Sequence, residues 1–268
     1  MPENQDDSRL KKEIGGFRNL WKGGFYEGDP LDPFGFSGYS VFGFMNMLHV
    51  TYLMCIKPYI HENTAVLEIG PGRGAWTKCF LGAKEVWCMD ALSAEHNSFY
   101  EYVGRHDHVK YIQVEDFSCR ALPDNRFDYF FSFGCFCHIS PQGIHAYLQN
   151  MYPKLKNGAH GFLMVADYDK YNVAVDQFKK HLQPSRYLSR RLCIHIPAVI
   201  MARIANWFDP RKVTVPRSKN QGPDPSPGRW YHLGTKEACA MLESLGYRVV
   251  EPDMCVNHRD PVIHFVKP

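Results

Sequence analysis

From residue 64 onward the chain alternates short apolar runs with stretches long enough for helices. Residues 65–69 predict a first strand, followed by a glycine turn and a helix reaching Leu81. Residues 85–89 predict a second strand, closed by Asp90, then a helix over about 94–103 and a third strand over 110–114. Residues 127–133 are apolar almost throughout, as expected of a central strand covered on both faces. Ser140-Pro141 offers an N-cap and a first-turn proline for a helix to about Leu155, before a fifth strand over 161–166. This alternation predicts an α/β, Rossmann-like, mostly parallel sheet with helices on both faces.

The rhythm breaks after Asp169. Residues 170–229 read as a helical insertion, after which a helix over 235–245 and apolar runs at 247–251 and 262–266 return the chain to the core. Upstream, 1–40 reads as a flexible, polar start and a Gly/Pro/aromatic segment, with no expected signal peptide or anchor. Residues 41–60 approach the length of a membrane span, but Asn46, His49 and Lys57 interrupt them; a buried helix ending near Pro58 is the preferred reading, with no integral membrane segment. Four regions follow: an N-terminal segment and covering helix (1–60), a core (61–169), a basic insertion (170–229) and the completion of the core (230–268).

Composition adds two points. Nine cysteines are scattered without a Cys-x-x-Cys pair, so neither a disulfide framework nor a structural zinc site is expected, and a cytoplasmic setting is. The net charge of +3 is mild, but it hides a split: 170–229 hold 12 Lys+Arg against 3 Asp+Glu, a net of +9.

The most informative segment is Val66-Leu67-Glu68-Ile69-Gly70-Pro71-Gly72-Arg73-Gly74-Ala75-Trp76-Thr77. Its glycines fall between a strand and a helix, where they let the backbone turn sharply and approach a ligand. Asp90 ends the next strand and Asp116-Phe117 follows the third, so three chemically distinctive elements share the carboxyl edge of the sheet, where open α/β sheets bind ligands. A dinucleotide fingerprint would space its glycines G-x-G-x-x-G; here the third comes too early, at Gly74, and Trp76 is awkward beside a pyrophosphate.

Glu68-x-Gly70-x-Gly72-x-Gly74, Asp90, Asp116-Phe117 and the apolar run at 127–133 together resemble the motif series of class I S-adenosylmethionine-dependent methyltransferases over about 60–170. The resemblance implies a seven-stranded sheet closed by an antiparallel hairpin and S-adenosylmethionine as cofactor. It places Gly70, Gly72 and Gly74 under the methionine end, Asp90 on the ribose and Leu92 against the adenine. Asp116 and Phe117 would read the adenine, Phe133 and Gly134 would line the methionine side, and Glu68 would support the ammonium. Pro71, Trp76 and Ala91 complete the expected cofactor set.

For the chemistry, His138 is the first candidate general base, since histidine exchanges a proton near neutral pH; packing beside the cofactor or helping to cap the next helix is the competing role. Asp167 and Tyr168, after the fifth strand, are alternative catalytic groups. Phe36 and Tyr39 belong to an aromatic segment that could cover the acceptor, with His138 beside it. No metal is expected, because Gly134-Cys135 stands where metal-dependent relatives carry acidic groups. The basic insertion could be a cap for an anionic acceptor, a dimer arm, or a docking face for nucleic acid or an anionic membrane surface, preferred in that order. The expectation is O-methylation of a small molecule or glycan. The alternatives are N- or RNA methylation on the same fold, and a domain that binds S-adenosylmethionine without turnover.

Overall fold

A computed structural model of the protein describes residues 5–20, 28–33, 46–173, 231–257 and 259–268. The chain divides into two compact units, 1–167 with 224–268, and 168–223. Of the second unit, 168–173 are described and are helical. Phe36, Tyr39 and 174–229 of the insertion lie outside the described residues.

The first unit is built on seven strands: β1 (Ala65–Ile69), β2 (Glu85–Asp90), β3 (Val109–Gln113), β4 (Phe127–Ser132), β5 (Leu155–Met164), β6 (Arg248–Glu251) and β7 (Val262–Val266). Their order is β3-β2-β1-β4-β5-β7-β6, with β7 alone antiparallel to both its neighbours. The mostly parallel sheet and its closing hairpin match the expectation. Central strands carry the longest apolar runs because both faces are covered: every residue of β1 is buried, whereas edge strand β6 is mostly exposed.

Alternation along the strands feeds two cores. Leu67, Ile69, Phe130, Leu163 and Phe265 face one side, against α1 (Gln5–Leu20), α4 (Pro141–Met151) and α5 (Thr235–Ser244). Val66, Cys88, Phe131, Phe162 and Val262 face the other, with Cys55 and Ile56, Phe80, and Phe99 and Val103 of α3 (Phe99–Val103). The helix expected before Pro58 is described from Met47: α2 (Met47–Thr51) continues as a π-helical turn, Tyr52–Ile56. Its Cys55 carbonyl accepts the Tyr129 hydroxyl at 2.7 Å, which ties the turn to β4.

Several boundaries differ from the sequence expectation, each for a local reason. The start of the chain is not a flexible segment throughout, since α1 carries Leu10, Ile14 and Phe17 onto the core. After the glycine loop there are turns and a short 3₁₀ segment, Thr77–Phe80, instead of a full helix. The helix expected from Ala94 begins at Phe99, because Ser98 sits at φ +49°, outside the helical region. Helix α4 stops at Met151 and β5 begins at Leu155, six residues earlier than expected; its polar opening, Lys156-Asn157-Gly158, is held by strand pairing and by the Gly158 N–H to the Lys267 carbonyl at 2.7 Å.

Gly161 shows how closely β5 and β7 are fitted. A Cβ there would stand 2.2–2.7 Å from three atoms of the Phe265 ring, which is fully buried over it. Gly161→Ala is therefore expected to destabilise the protein by about 1–3 kcal/mol, the usual cost of overpacking. Urea unfolding checks this: the midpoint falls at an unchanged slope, and an unmoved midpoint would show that Phe265 relaxes freely.

Candidate functional site

The site forms where the loops after β1, β2 and β4 meet at the carboxyl edge of the sheet. The Gly70 N–H continues the ladder to the Met89 carbonyl at 2.8 Å, after which the backbone turns through positive φ at Gly70, Gly72 and Gly74. These glycines serve different neighbours. A Cβ on Gly70 would collide with Cys135 Cβ and Sγ at 2.3 and 2.5 Å, so this position lets the β4 loop approach the β1 loop. A Cβ on Gly74 would collide with Val103 at 2.2 Å, so Gly74 admits α3 instead of lining the cavity.

Asp90, the last residue of β2, joins two of the loops. Its Oδ2 accepts the Gly72 N–H at 3.1 Å and its Oδ1 the Leu92 N–H at 2.9 Å. Burial pushes its carboxyl up to about 6, against the pull of those amides. Glu68 is also removed from water, and burial raises its carboxyl to about 7. Its Oε2 accepts the Thr77 hydroxyl at 2.6 Å and the Cys88 thiol at 3.5 Å. Glu68 thus clamps the two ends of the glycine loop to each other and to β2, and it does not line the cavity.

The cavity between these loops is lined by Gly70, Pro71, Gly72 and Trp76, by Asp90, Ala91 and Leu92, and by Phe117, Phe133, Gly134 and His138. All of these were expected at the cofactor or acceptor. Trp76 packs against Phe131 and Phe133, with ring centroids 5.2 and 4.8 Å apart, and so forms a wall. His138 ends the short helical turn Phe136–His138 after β4.

Five expected residues are placed otherwise. Glu68 and Gly74 act as described above. Asp116 is turned into its own loop, where it accepts the Ser118 N–H at 2.8 Å and pairs with Arg120 at 2.6 Å; despite the cost of desolvation, those partners lower its carboxyl pKa. Asp167 accepts the Thr235 N–H at 2.9 Å and hydroxyl at 2.6 Å, which satisfies the start of α5. Tyr168 is the first residue of the second unit.

Other lining residues were not anticipated: Ile14, Phe17, Asn97, Cys135, Ile139 and Tyr147 among them. Ile14 and Phe17 come from α1, which is fastened by the buried Glu13. Its Oε1 accepts the Ser140 N–H at 2.6 Å and its Oε2 the Ser140 hydroxyl at 2.7 Å, while Ser140 Oγ caps α4 by accepting the Gly143 N–H at 3.2 Å. The i, i+4, i+7 spacing of Leu10, Ile14 and Phe17 is the one sequence signal that marks this helix face. Among the described residues, no group of three or more His, Cys, Asp or Glu side chains is arranged to hold a metal ion, and no helix is long and apolar enough to cross a membrane.

A single carboxylate beside glycine-loop amides, opening onto apolar walls formed by Leu92, Phe117 and Ile139, suits a nucleoside: a diol for the carboxylate and a flat base for the walls. The comparisons agree. Residues 66–158 match the family model described as a methyltransferase domain. No curated protein matches the sequence. Among solved structures, a chain of the complex between the Haloferax volcanii Trm112 methyltransferase activator and a methyltransferase aligns at 15% identity and TM-score 0.50, over 82% of this chain and 88% of that one. A Burkholderia thailandensis 1,6-didemethyltoxoflavin-N1-methyltransferase, solved with 1,6-didemethyltoxoflavin and S-adenosylhomocysteine, aligns at 15% identity and TM-score 0.50, over 82% and 77%. These likenesses establish the fold.

The raised pKa of Asp90 makes a measurable consequence. Donation by a ribose diol favours the charged carboxylate, so binding should be full above about pH 6 and weaken by up to about tenfold per unit below it. Calorimetry with S-adenosylhomocysteine between pH 5 and 8 measures this, and Asp90→Asn should bind weakly with a flattened profile; a flat wild-type profile would remove Asp90 from the ribose. The segment that frames this cavity is thus the one similar to a methyltransferase domain.

Proposed function

We propose that the enzyme methylates an oxygen of a small molecule or glycan, with His138 as the group that takes the acceptor's proton. S-adenosylmethionine supplies an electrophilic methyl carbon, and the protein's part is to align the acceptor and manage its proton. The observation that carries the reading is that His138 shares one cavity with Gly70, Gly72 and Asp90. A hydroxyl acceptor gains more from such a base than a neutral amine does. Around it, Ile14, Phe17, Ile139 and Phe133 are apolar and buried, which keeps water from the reacting atoms. The net +9 of residues 170–229 favours an anionic acceptor, and that segment is proposed as its cap in preference to a dimer arm or a nucleic-acid surface. Phe36 and Tyr39 remain proposed acceptor contacts, and Tyr168 a proposed alternative catalytic group. Scattered cysteines, with Cys55, Cys88, Cys119 and Cys137 buried as free thiols, favour a cytoplasmic setting.

A nitrogen acceptor is the second reading, because the Burkholderia thailandensis neighbour is an N1-methyltransferase. One variant separates the two. Across a panel of phenols, catechols, sugar acids and amines, formation of S-adenosylhomocysteine identifies the acceptor class. On an oxygen acceptor, His138→Ala should lower the single-turnover rate by about 10²–10⁴-fold while leaving S-adenosylhomocysteine affinity intact. An amine acceptor with an unchanged rate in His138→Ala would replace the oxygen reading.

A further inference from the structure

The carboxylate that the family resemblance assigns to the adenine is absent from this cavity. Asp116 is committed to Ser118 and Arg120, although its neighbour Phe117 does line the walls. Among the described residues, the lining side chains that carry an oxygen or imidazole-nitrogen acceptor are Asp90, Asn97, His138 and Tyr147. Asp90 serves the Gly72 and Leu92 amides, and Asn97 donates its side-chain amide to the Tyr111 hydroxyl at 2.8 Å. His138 lies beyond Phe133 and Gly134 on the β4 loop, the methionine side by the same resemblance.

Tyr147 stands apart from these three. Helix α4 holds it at 3% exposure, its ring meets Phe117 edge-on at 4.7 Å, and Phe136 supports it from 5.6 Å. Among the described residues, nothing hydrogen-bonds its hydroxyl. A hydroxyl that opens onto a cavity is free to bond a ligand group that enters it. Phe117 and Tyr147 also form a right-angled pair, one ring available to a base's face while the other presents a polar tip near its edge.

We propose that the Tyr147 hydroxyl accepts the exocyclic amino group of the cofactor's adenine, the task that Asp116 holds in the motif pattern. This rests on the S-adenosylmethionine assignment and adds to it a residue from α4, which lies outside the motif series. Burial keeps the phenol well above its ordinary pKa, so the reader is a neutral hydroxyl at every pH the enzyme meets. A neutral hydroxyl both donates and accepts, so it discriminates among purines less sharply than a carboxylate would.

The test is calorimetry with two ligands, S-adenosylhomocysteine and its analogue lacking the 6-amino group, on wild type, Tyr147→Phe and Asp116→Asn. Tyr147→Phe keeps the ring and should weaken S-adenosylhomocysteine by about threefold to tenfold, the value of one neutral hydrogen bond, while leaving the analogue's affinity unchanged. Asp116→Asn should leave both affinities unchanged. Equal loss for both ligands in Tyr147→Phe, no loss for either, or a larger loss in Asp116→Asn would each overturn the proposal. Wild type failing to bind S-adenosylhomocysteine at all would instead remove the cofactor assignment beneath it.

Discussion

A carboxylate withdrawn from water and tied to the amides of two loops is the constraint on which this sheet edge depends. Asp90 sits at the end of β2, in register with Gln113 of β3, and reaches across to Gly72 on one side and Leu92 on the other. Removing a carboxylate from water is unfavourable, and the two N–H groups offset only part of that, so the group remains raised toward pH 6. The protein therefore holds a charged form that improves whenever further donors arrive. Both loops must keep their shape for the offset to persist, which links the turn at Gly72 to the strand end beside it. The same two bonds that stabilise the loops leave the site favourable to a diol.

Behind this contact lies a second buried acid with a different task. Glu68 occupies the acidic position of the glycine motif, yet its oxygen is taken by Thr77 and Cys88, nine and twenty residues away. It acts on the cavity only through the loop it clamps. Asp116 and Gly74 show the same separation between motif position and use: one is drawn into a local turn with Ser118, the other yields space to Val103. A motif marks where the backbone runs. Which side chain faces the ligand depends on the partners each one finds, whether near, as Ser118 is, or far, as Cys88 and Val103 are, and the motif does not encode them.

That distinction explains what was legible beforehand. Strands β1, β2 and β4 were readable because a parallel sheet covered on both faces needs nearly continuous apolar residues, and the loop was readable because positive φ at Gly70 and Gly72 requires glycine. The early start of β5 was not, since Lys156-Asn157-Gly158 is held by backbone pairing that tolerates polar side chains. Nor was the late start of α3, which turns on one left-handed residue, Ser98. Tyr147 was hidden for another reason. In α4 it follows the ordinary spacing of core positions, and only the folded chain shows that the core at that point opens into a cavity.

Helix α1 carries the reasoning from packing to function. Its mostly polar sequence offers the core little beyond Leu10, Ile14 and Phe17, so its attachment depends on Glu13. Burial raises the pKa of that carboxyl, and the Ser140 amide and hydroxyl at the N-terminus of α4 offset part of the cost. Ser140 stands two residues after His138, and both leave the same turn beyond β4. The bond that fixes the cavity wall made by Ile14 and Phe17 therefore also fixes the end of the turn that presents His138. Wall and imidazole are ordered together: a chain with Glu13 unpaired would lose the closed cavity and the placement of His138 in one step, without any change to the glycine loop.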